Sequence, residues 1–430
     1  MELFTRLLHG NCLDRLKEME EHSVDSIVTD PPYGLSFMGK KWDYDVPSVN
    51  IWSECLRVLK PGGHLLAFAG TRTQHRMAVN IEDAGFEIRD MIAWVYGSGF
   101  PKSLDISKAI DKSLGTEKIV GKGKAGKTAL GQSSGYNKTN NPHEYNITEP
   151  NSKPAKQWQG WGTALKPALE PITMARKPFK GTVADNVLTH GTGGINVDGC
   201  RVATDEIIAF ARKKENESVS GWKETNRQPY QQSKSGRFPA NFIHDGSDEV
   251  ERLFPSGGSG SGSIKVSSGR KSGCGTWAQN NGMQRAGSEN TGVRDFGDSG
   301  SAARFFYCAK ASKSDRDEGC GGLDKRQAGT YAQDEWSKQN MGNTPDPQRN
   351  PRHNHHPTVK PTDLMRYLVK LVTPPNGIVL DPFMGSGSTG KACVSEGFSF
   401  VGIEMQQEYI DIAKARIERE KQKGIQTGLF

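Results

Sequence analysis

The chain predicts an α/β fold: a mostly parallel sheet built from its two ends, separated by a long central insertion. Three observations lead there. At both ends, short β-rich runs alternate with amphipathic helical stretches, the pattern of βαβ units. Near the C-terminus, one such run enters a glycine loop that opens a helix, Asp381-Pro382-Phe383-Met384-Gly385-Ser386-Gly387-Ser388-Thr389-Gly390-Lys391. The middle of the chain lacks the alternation.

Leu13, Leu16 and Met19 space like one face of a first helix. Val24 to Thr29 (VDSIVT) is a short strand. Ile51, Cys55, Leu56 and Leu59 form a second helical face, with Pro61-Gly62-Gly63 as the expected stop. His64 to Ala69 is a buried-strand candidate. Toward the other end, Pro361 to Thr373 reads as a helix with proline at its start. Then follow strand Gly377 to Asp381, the glycine loop, helix Ser388 to Glu396, strand Ser399 to Glu404, and a helix from Gln407.

Charge and glycine are unevenly spread. Of 430 residues, 56 are Lys or Arg and 49 are Asp or Glu, a net charge of +7. Residues 101–180 hold 14 basic and 6 acidic residues, so that segment is +8 and the remainder is −1. A localised basic segment suits a polyanion, because each cation near a phosphate releases a condensed counterion. Tyr136, Tyr145, Trp158 and Trp161 lie within it, and aromatic rings among cations suit contact with bases. The plain alternative is a solvated loop, and residues 121–160 are expected to be a flexible basic loop. Residues 255–301 hold 12 Gly and 10 Ser, the composition of a linker.

No apolar run approaches the roughly 18 residues of a membrane span, and the first residues lack the apolar stretch of a signal peptide. The seven cysteines form no C-x-x-C pair, which argues against a disulfide framework or a structural zinc site. A cytoplasmic protein with reduced thiols is expected. His353, His355 and His356 are read as a solvated loop, and no metal is expected.

Gly385, Gly387 and Gly390 satisfy G-x-G-x-x-G, and Glu404 follows Gly385 by 19 residues at the end of the next strand. A carboxylate there can accept hydrogen bonds from ribose hydroxyls. Three ligand chemistries fit. A phosphate-cradling P-loop needs Ser or Thr after Lys391, but Ala392 follows. A dinucleotide and S-adenosylmethionine remain, and Asp381 could accept from the ammonium group of the latter. A glycine turn without a ligand is the plain alternative. The loop alone does not decide.

The other end carries Asp30-Pro31-Pro32-Tyr33-Gly34 directly after a strand. Two prolines fix φ and remove two backbone donors. What remains is a rigid cluster of acceptors, the Asp30 carboxylate among them. Such a cluster suits an amino group, and Tyr33 offers a face for a planar base. Accepting both amino hydrogens draws the nitrogen lone pair out of conjugation and makes that nitrogen a better nucleophile.

With these pieces in hand, the sequence resembles the S-adenosylmethionine-dependent DNA amino-methyltransferases, which methylate adenine N6 or cytosine N4. The resemblance is carried by GNCLDRLKEM (10–19), VDSIVTDPPYG (24–34), HPTVKP (356–361), LDPFMGSGSTG (380–390) and FVGIEMQQEYIDIAKARI (400–417). The catalytic tip precedes the cofactor loop, as in the circularly permuted β group. WVYGSGFPKSLD (94–105), LEPITMARKP (169–178) and FFYCAKAS (305–312) look like a phage or prophage subgroup.

The resemblance implies a Rossmann-like methyltransferase sheet. Residues 1–180 and 351–430 would form the catalytic domain. The 181–350 insertion would read the target sequence, with Arg201, Asn226, Arg227, Arg237, Asn241 and Gln279 as candidate readers. It also implies roles. Asp30 and the Pro31 carbonyl, with Pro32 and Tyr33, would hold a base rotated out of the duplex. Asp381, Phe383, Gly385, Ser386, Gly387 and Ser388 would surround the cofactor, and Glu404 would take its ribose. Thr358, Lys360 and Pro361 would line its methionine side. Asn11 stands where the family more often has Asp, facing the cofactor's adenine. Phe100 is a candidate for the second face of the base stack.

Transfer would be by direct displacement, without metal. None of the seven cysteines follows a proline, which argues against a cytosine-C5 enzyme. Asp rather than Ser at position 30 favours adenine N6, with cytosine N4 as the alternative. A non-catalytic DNA-binding protein and a dinucleotide-dependent oxidoreductase are the remaining readings. The expected partner is double-stranded DNA, with no membrane. A homodimer is left open, and any companion restriction nuclease is not legible.

Overall fold

The computed structural model describes residues 3–35, 43–99, 103–125, 143–203, 236–257, 300–309, 314–326 and 351–426. Its strands are β1 (Thr5–His9), β2 (Val24–Thr29), β3 (Leu59–Phe68), β4 (Glu87–Val95), β5 (Lys118–Ala125), β6 (His143–Glu149), β7 (Leu169–Arg176), β8 (Phe242–His244), β9 (Ser256–Gly257), β10 (Gly300–Ser301), β11 (Tyr307–Cys308), β12 (Ile378–Asp381) and β13 (Ser399–Glu404).

Nine of them form one sheet in the order β1-β13-β12-β2-β3-β7-β4-β8-β11. Only β7 runs against its neighbours, pairing antiparallel with both β3 and β4. Counted from β12, the first five strands follow the doubly wound order 3-2-1-4-5, and the order reverses between β12 and β2. A ligand crevice is expected outside the carboxyl ends of the strands at that reversal. Asp381 ends β12, and Asp30 follows the last residue of β2.

Helices cover both faces. On one side the helices Thr362–Val372, Ser388–Glu396 and Gln407–Gln426 pack Leu368, Cys393, Ala413 and Ile417 against Val28, Leu66 and Phe400. On the other, Cys12–Lys17, Val49–Val58 and Gln74–Asp83 pack Leu16, Trp52, Cys55, Met77 and Ile81 against Ile27, Leu65 and Val401. Strand β2 is buried along its whole length, as a central parallel strand must be. Its polar residues are each satisfied. Asp25 accepts from Lys60 Nζ at 2.6 Å and Ile378 N at 2.7 Å, and Ser26 lies 2.8 Å from the Thr373 hydroxyl.

Several sequence expectations shift. The helix through Cys55 ends at Val58, and Pro61-Gly62-Gly63 lies inside β3 rather than stopping the helix. The β2–β3 register passes from Val24↔Leu59 to Ser26↔His64, so this tripeptide is the bulge that takes up the extra length. Gly62, at φ +78°, turns there beside Asn186, and a Cβ would lie 2.3 Å from that side chain's Nδ2. Met19 falls beyond its helix, which ends at Lys17.

Residues 121–160 are not uniformly loop. Strands β5 and β6 pair as an antiparallel hairpin, followed by the helix Lys153–Gln157. Residues 126–142, with Tyr136, lie outside the described residues. The 180/181 boundary is not a break in packing, since β8 and β11 extend the same sheet and the helix Val183–His190 lies by β3. Most of the Gly/Ser-rich stretch, and Asn226, Arg227, Gln279 and Cys274, lie outside the described residues.

The far end of the central region returns to the cofactor loop through buried charge. Lys391 pairs with Asp315 at 2.7 Å and Glu318 at 2.6 Å. Arg416, fully buried, donates to the Ser386 carbonyl at 2.8 Å and to the Asp315 carbonyl at 3.3 Å. Asp315 also accepts from the Thr362 hydroxyl at 2.6 Å.

Candidate active site

A cavity of about 1550 Å³ opens at the reversal between β12 and β2. That exceeds the roughly 300–1,000 Å³ of a single small-molecule site, so it has room for two ligands side by side. Asn11, Asp30, Pro31, Pro32, Tyr33, Thr358, Lys360, Asp381, Phe383, Gly385, Ser386, Ser388 and Glu404 all line it. Of the residues expected from sequence, Pro361 and Gly387 do not. Pro361 caps the helix Thr362–Val372. Gly387 caps Ser388–Glu396 at φ +77°, and a Cβ there would meet that of Ala413 at 2.7 Å. Phe100 lies outside the described residues.

At one pole, Asp381 is buried with no cation in contact among the described residues. Its Oδ1 accepts from the Thr29 hydroxyl at 2.6 Å and from Phe383 N at 3.1 Å, and its Oδ2 from the Thr389 hydroxyl at 2.6 Å. Burial outweighs these donors and pushes its carboxyl up to about 6. Glu404 accepts from Gly385 N at 3.0 Å and Gln406 N at 2.8 Å, and burial raises its carboxyl too. Gly385 turns at φ +53° beneath His356, and a Cβ would stand 2.8 Å from the ring Nε2. Burial lowers His356 to about 3, so its ring is neutral. Asn11 Oδ1 accepts from Leu13 N at 2.9 Å and caps the first helix.

At the other pole, Asp30 is held by a cation. Lys360 Nζ donates to Asp30 Oδ2 at 2.8 Å, lies 3.1 Å from Glu170 Oε2, and donates to the Tyr33 hydroxyl at 3.1 Å. That hydroxyl lies 2.7 Å from Asp30 Oδ1 and 3.0 Å from Glu170 Oε2, and its one proton serves one of them at a time. Burial alone would lower the Lys360 ammonium, but the charges of Asp30 and Glu170 overcome it and raise it. Burial, then those two carboxylates, push the Tyr33 hydroxyl up.

The tip itself is fixed by Asp43, whose Oδ1 accepts from Tyr33 N at 2.6 Å and Gly34 N at 3.0 Å. These are the two amides that follow the prolines.

Three features were missed from sequence. Glu170 opens β7, and its only trace is the phrase LEPITMARKP. Lys360, expected on the methionine side, lines the cavity and reaches the Asp30 carboxylate, a contact the sequence did not announce. Asp43 carried no signal. Lys391, the lysine of the P-loop-like pattern, turns away to Asp315 and Glu318, a placement with no role for phosphate. The three histidines also diverge. His353 Nδ1 meets the Leu323 carbonyl at 2.6 Å, and His355 lies 3.4 Å from Glu408. Among the described residues no three His, Cys, Asp or Glu side chains gather as a metal site, and no helix is long and apolar enough to cross a membrane.

A doubly wound sheet with a wide crevice, one strand tip leading into Asp-Pro-Pro-Tyr and its neighbour into a glycine loop, is the architecture of a nucleotide-binding α/β protein. A DNA methylase family model (N6_N4_Mtase) matches residues 24–415, and the chain belongs to this family. The family is one of S-adenosylmethionine-dependent methyltransferases.

The type II methyltransferase M.HindIII of Haemophilus influenzae is 23% identical over 236 residues, 44% of this chain and 64% of that protein. M.ScaI of Streptomyces caespitosus is 40% identical over 67 residues, 16% of this chain and 22% of that protein. The chain thus spans less than two thirds of the length of these curated relatives. The crystal structure of the M1.HpyAVI–SAM complex aligns over 96% of this chain and 99% of that one, at 15% identity and a TM-score of 0.39. At that TM-score the fold rests on the strand order above.

Proposed function

We propose that the protein is a site-specific DNA methyltransferase that modifies adenine N6 in double-stranded DNA, as a modification enzyme of the restriction–modification type. One observation carries the reading: Asp30 and Asp381 end adjacent parallel strands and face one cavity large enough for a base and a cofactor together.

The residues fit S-adenosylmethionine. Each Glu404 oxygen accepts one backbone N–H and keeps a lone pair for a ribose hydroxyl. Gly385 lets the backbone pass close to a ligand. Asp381 fixes the loop, and Asn11 and Thr358 line the same wall. When bound, the cofactor supplies a methyl carbon activated by a positive sulfur.

Asp30 and the Pro31 carbonyl accept from the target amino group and orient its lone pair. Tyr33 stacks on the base. The base must leave the helix to reach this depth, because its amino nitrogen is otherwise paired. The described parts of 181–350, including Arg201, Arg237 and Asn241, with the basic 101–180 segment, supply DNA contacts.

Incubation with labelled cofactor and unmethylated DNA, then digestion to nucleosides, tests the reading. N6-methyladenine is expected. N4-methylcytosine would move the target base to cytosine, and no labelled nucleoside would overturn the assignment.

A further inference from the structure

We propose that Glu170 and Lys360 set the charge of the amino-group site, one lysine bridging two carboxylates so that Asp30 remains an acceptor in a cluster of net charge −1. The inference rests on the reading of Asp30 as acceptor for the target amino group.

The four side chains come from three distant parts of the chain. Asp30 and Tyr33 follow β2, Glu170 opens β7, and Lys360 precedes the helix Thr362–Val372. Lys360 lies 2.8 Å from Asp30 and 3.1 Å from Glu170, and its side chain is 9% exposed. The two carboxylates, each 20% exposed, also share the Tyr33 hydroxyl. Lys360 bridges both acids, so the cluster sums to −1.

Each member of the pair corrects the other. With Lys360 alone, the Asp30 charge would be cancelled by a cation at contact distance. With Glu170 alone, two carboxylates would share one small site, and such pairs retain a proton between them. The two carboxylates would then meet at the Tyr33 hydroxyl with no cation between them. With both, Lys360 offsets one carboxylate and the site stays anionic.

The chemistry needs that charge. Attack by the amino nitrogen forms the N–C bond with its lone pair and breaks the C–S bond with its pair leaving on sulfur. Positive charge then rests on nitrogen until a proton passes to water. A preorganised negative site stabilises that charge more than the neutral amino group before it.

The other groups facing Lys360 leave the count unchanged. The Tyr33 and Tyr96 hydroxyls are pushed up, mainly by burial, and stay protonated. Asp381, on the adjacent tip, is pushed up to about 6 by burial, so its own charge changes only around that pH.

The test uses the full chain with Glu170→Gln, Lys360→Met, Lys360→Arg and the double variant Glu170→Gln/Lys360→Met. Single-turnover methyl incorporation into unmethylated DNA is followed from pH 6 to 9. Calorimetry gives the ratio of affinities for S-adenosylmethionine and its uncharged demethylated product, which senses the charge at the tip without any turnover.

Glu170→Gln should slow transfer about 10- to 100-fold and shrink the affinity ratio. Lys360→Met should slow transfer as well, because two carboxylates then face the Tyr33 hydroxyl with no cation between them. The double variant regains the −1 charge and should transfer faster than the slower single variant. Lys360→Arg, which keeps the charge but not the compact ammonium, should lose less activity than Lys360→Met. Additive losses in the double variant, or an unchanged affinity ratio in Glu170→Gln, overturn the proposal. Should Lys360→Met not fold, Glu170→Gln and its affinity ratio still decide. Asp30→Asn separates the two levels. If it transfers methyl normally, the active-site reading itself fails. If it is inactive while Glu170→Gln matches wild type, only the charge-setting pair fails.

Discussion

Two aspartates end neighbouring parallel strands, yet their surroundings treat them in opposite ways. Asp381 is sealed, 2% exposed, and among the described residues is met by neutral donors alone: two hydroxyls and one amide. Asp30 is a fifth exposed to the cavity and faces an ammonium. Burial without a cation makes the first carboxyl costly to ionise, at about 6. A strand-tip aspartate is therefore not one kind of group. Enclosed by hydroxyls it pins a loop, whereas beside a lysine on a cavity wall each oxygen takes one donor and keeps a lone pair for a ligand's hydrogens.

The sharpest break of this contrast is Asp30→Asn. It replaces an acceptor-only group with one that also donates, and methyl transfer should fall about a hundredfold or more. S-adenosylmethionine should still bind by calorimetry, with its preference over the demethylated product reduced as in Glu170→Gln. Lost cofactor binding would mean that Asp30 serves the same pole as Asp381.

Asp381→Asn acts on stability rather than on the chemical step. The folded carboxyl, at about 6, lies above its unfolded value of 3.8. The folded state therefore binds the proton more tightly. This contribution to stability is full below pH 3.8 and is lost as pH rises through 6, a change of up to roughly 3 kcal/mol. Urea midpoints between pH 4 and 7 should show that fall in the wild type, and a flatter profile in the variant. An identical slope in both would remove Asp381 as its source.

Thr29→Val is the finest probe, since Thr29 lies directly before Asp30 yet donates to Asp381. Loss of that bond to a carboxylate should cost about 1.5–3 kcal/mol by urea denaturation. The single-turnover rate should change little. A rate loss as large as that of Asp30→Asn would show that the two poles are not separable.

Local features of both poles were legible in sequence, for local reasons. Strand β2, the helix Ser388–Glu396, the glycine loop and Glu404 each announce themselves through a few consecutive residues. The partners of Asp30 do not. Glu170 lies 137 residues from Tyr33, and Lys360 lies 330 residues from Asp30. Only sheet order brings them together, through the antiparallel return of β7 beside β3. Pro61-Gly62-Gly63 misled for a related reason. The same residues that stop a helix also build a bulge, and only the neighbouring strand decides which.

Arg416 carries a last consequence. Its guanidinium is fully buried and divided between the Ser386 carbonyl of the cofactor loop and the Asp315 carbonyl. If either neighbour moved off, an enclosed cation would lose part of its shell, a costly intermediate. Loop and segment 314–326 therefore belong to one cooperative unit of local opening, which unfastens together or stays shut. Ordering of the cofactor loop is thereby tied to the point where the central region rejoins the sheet.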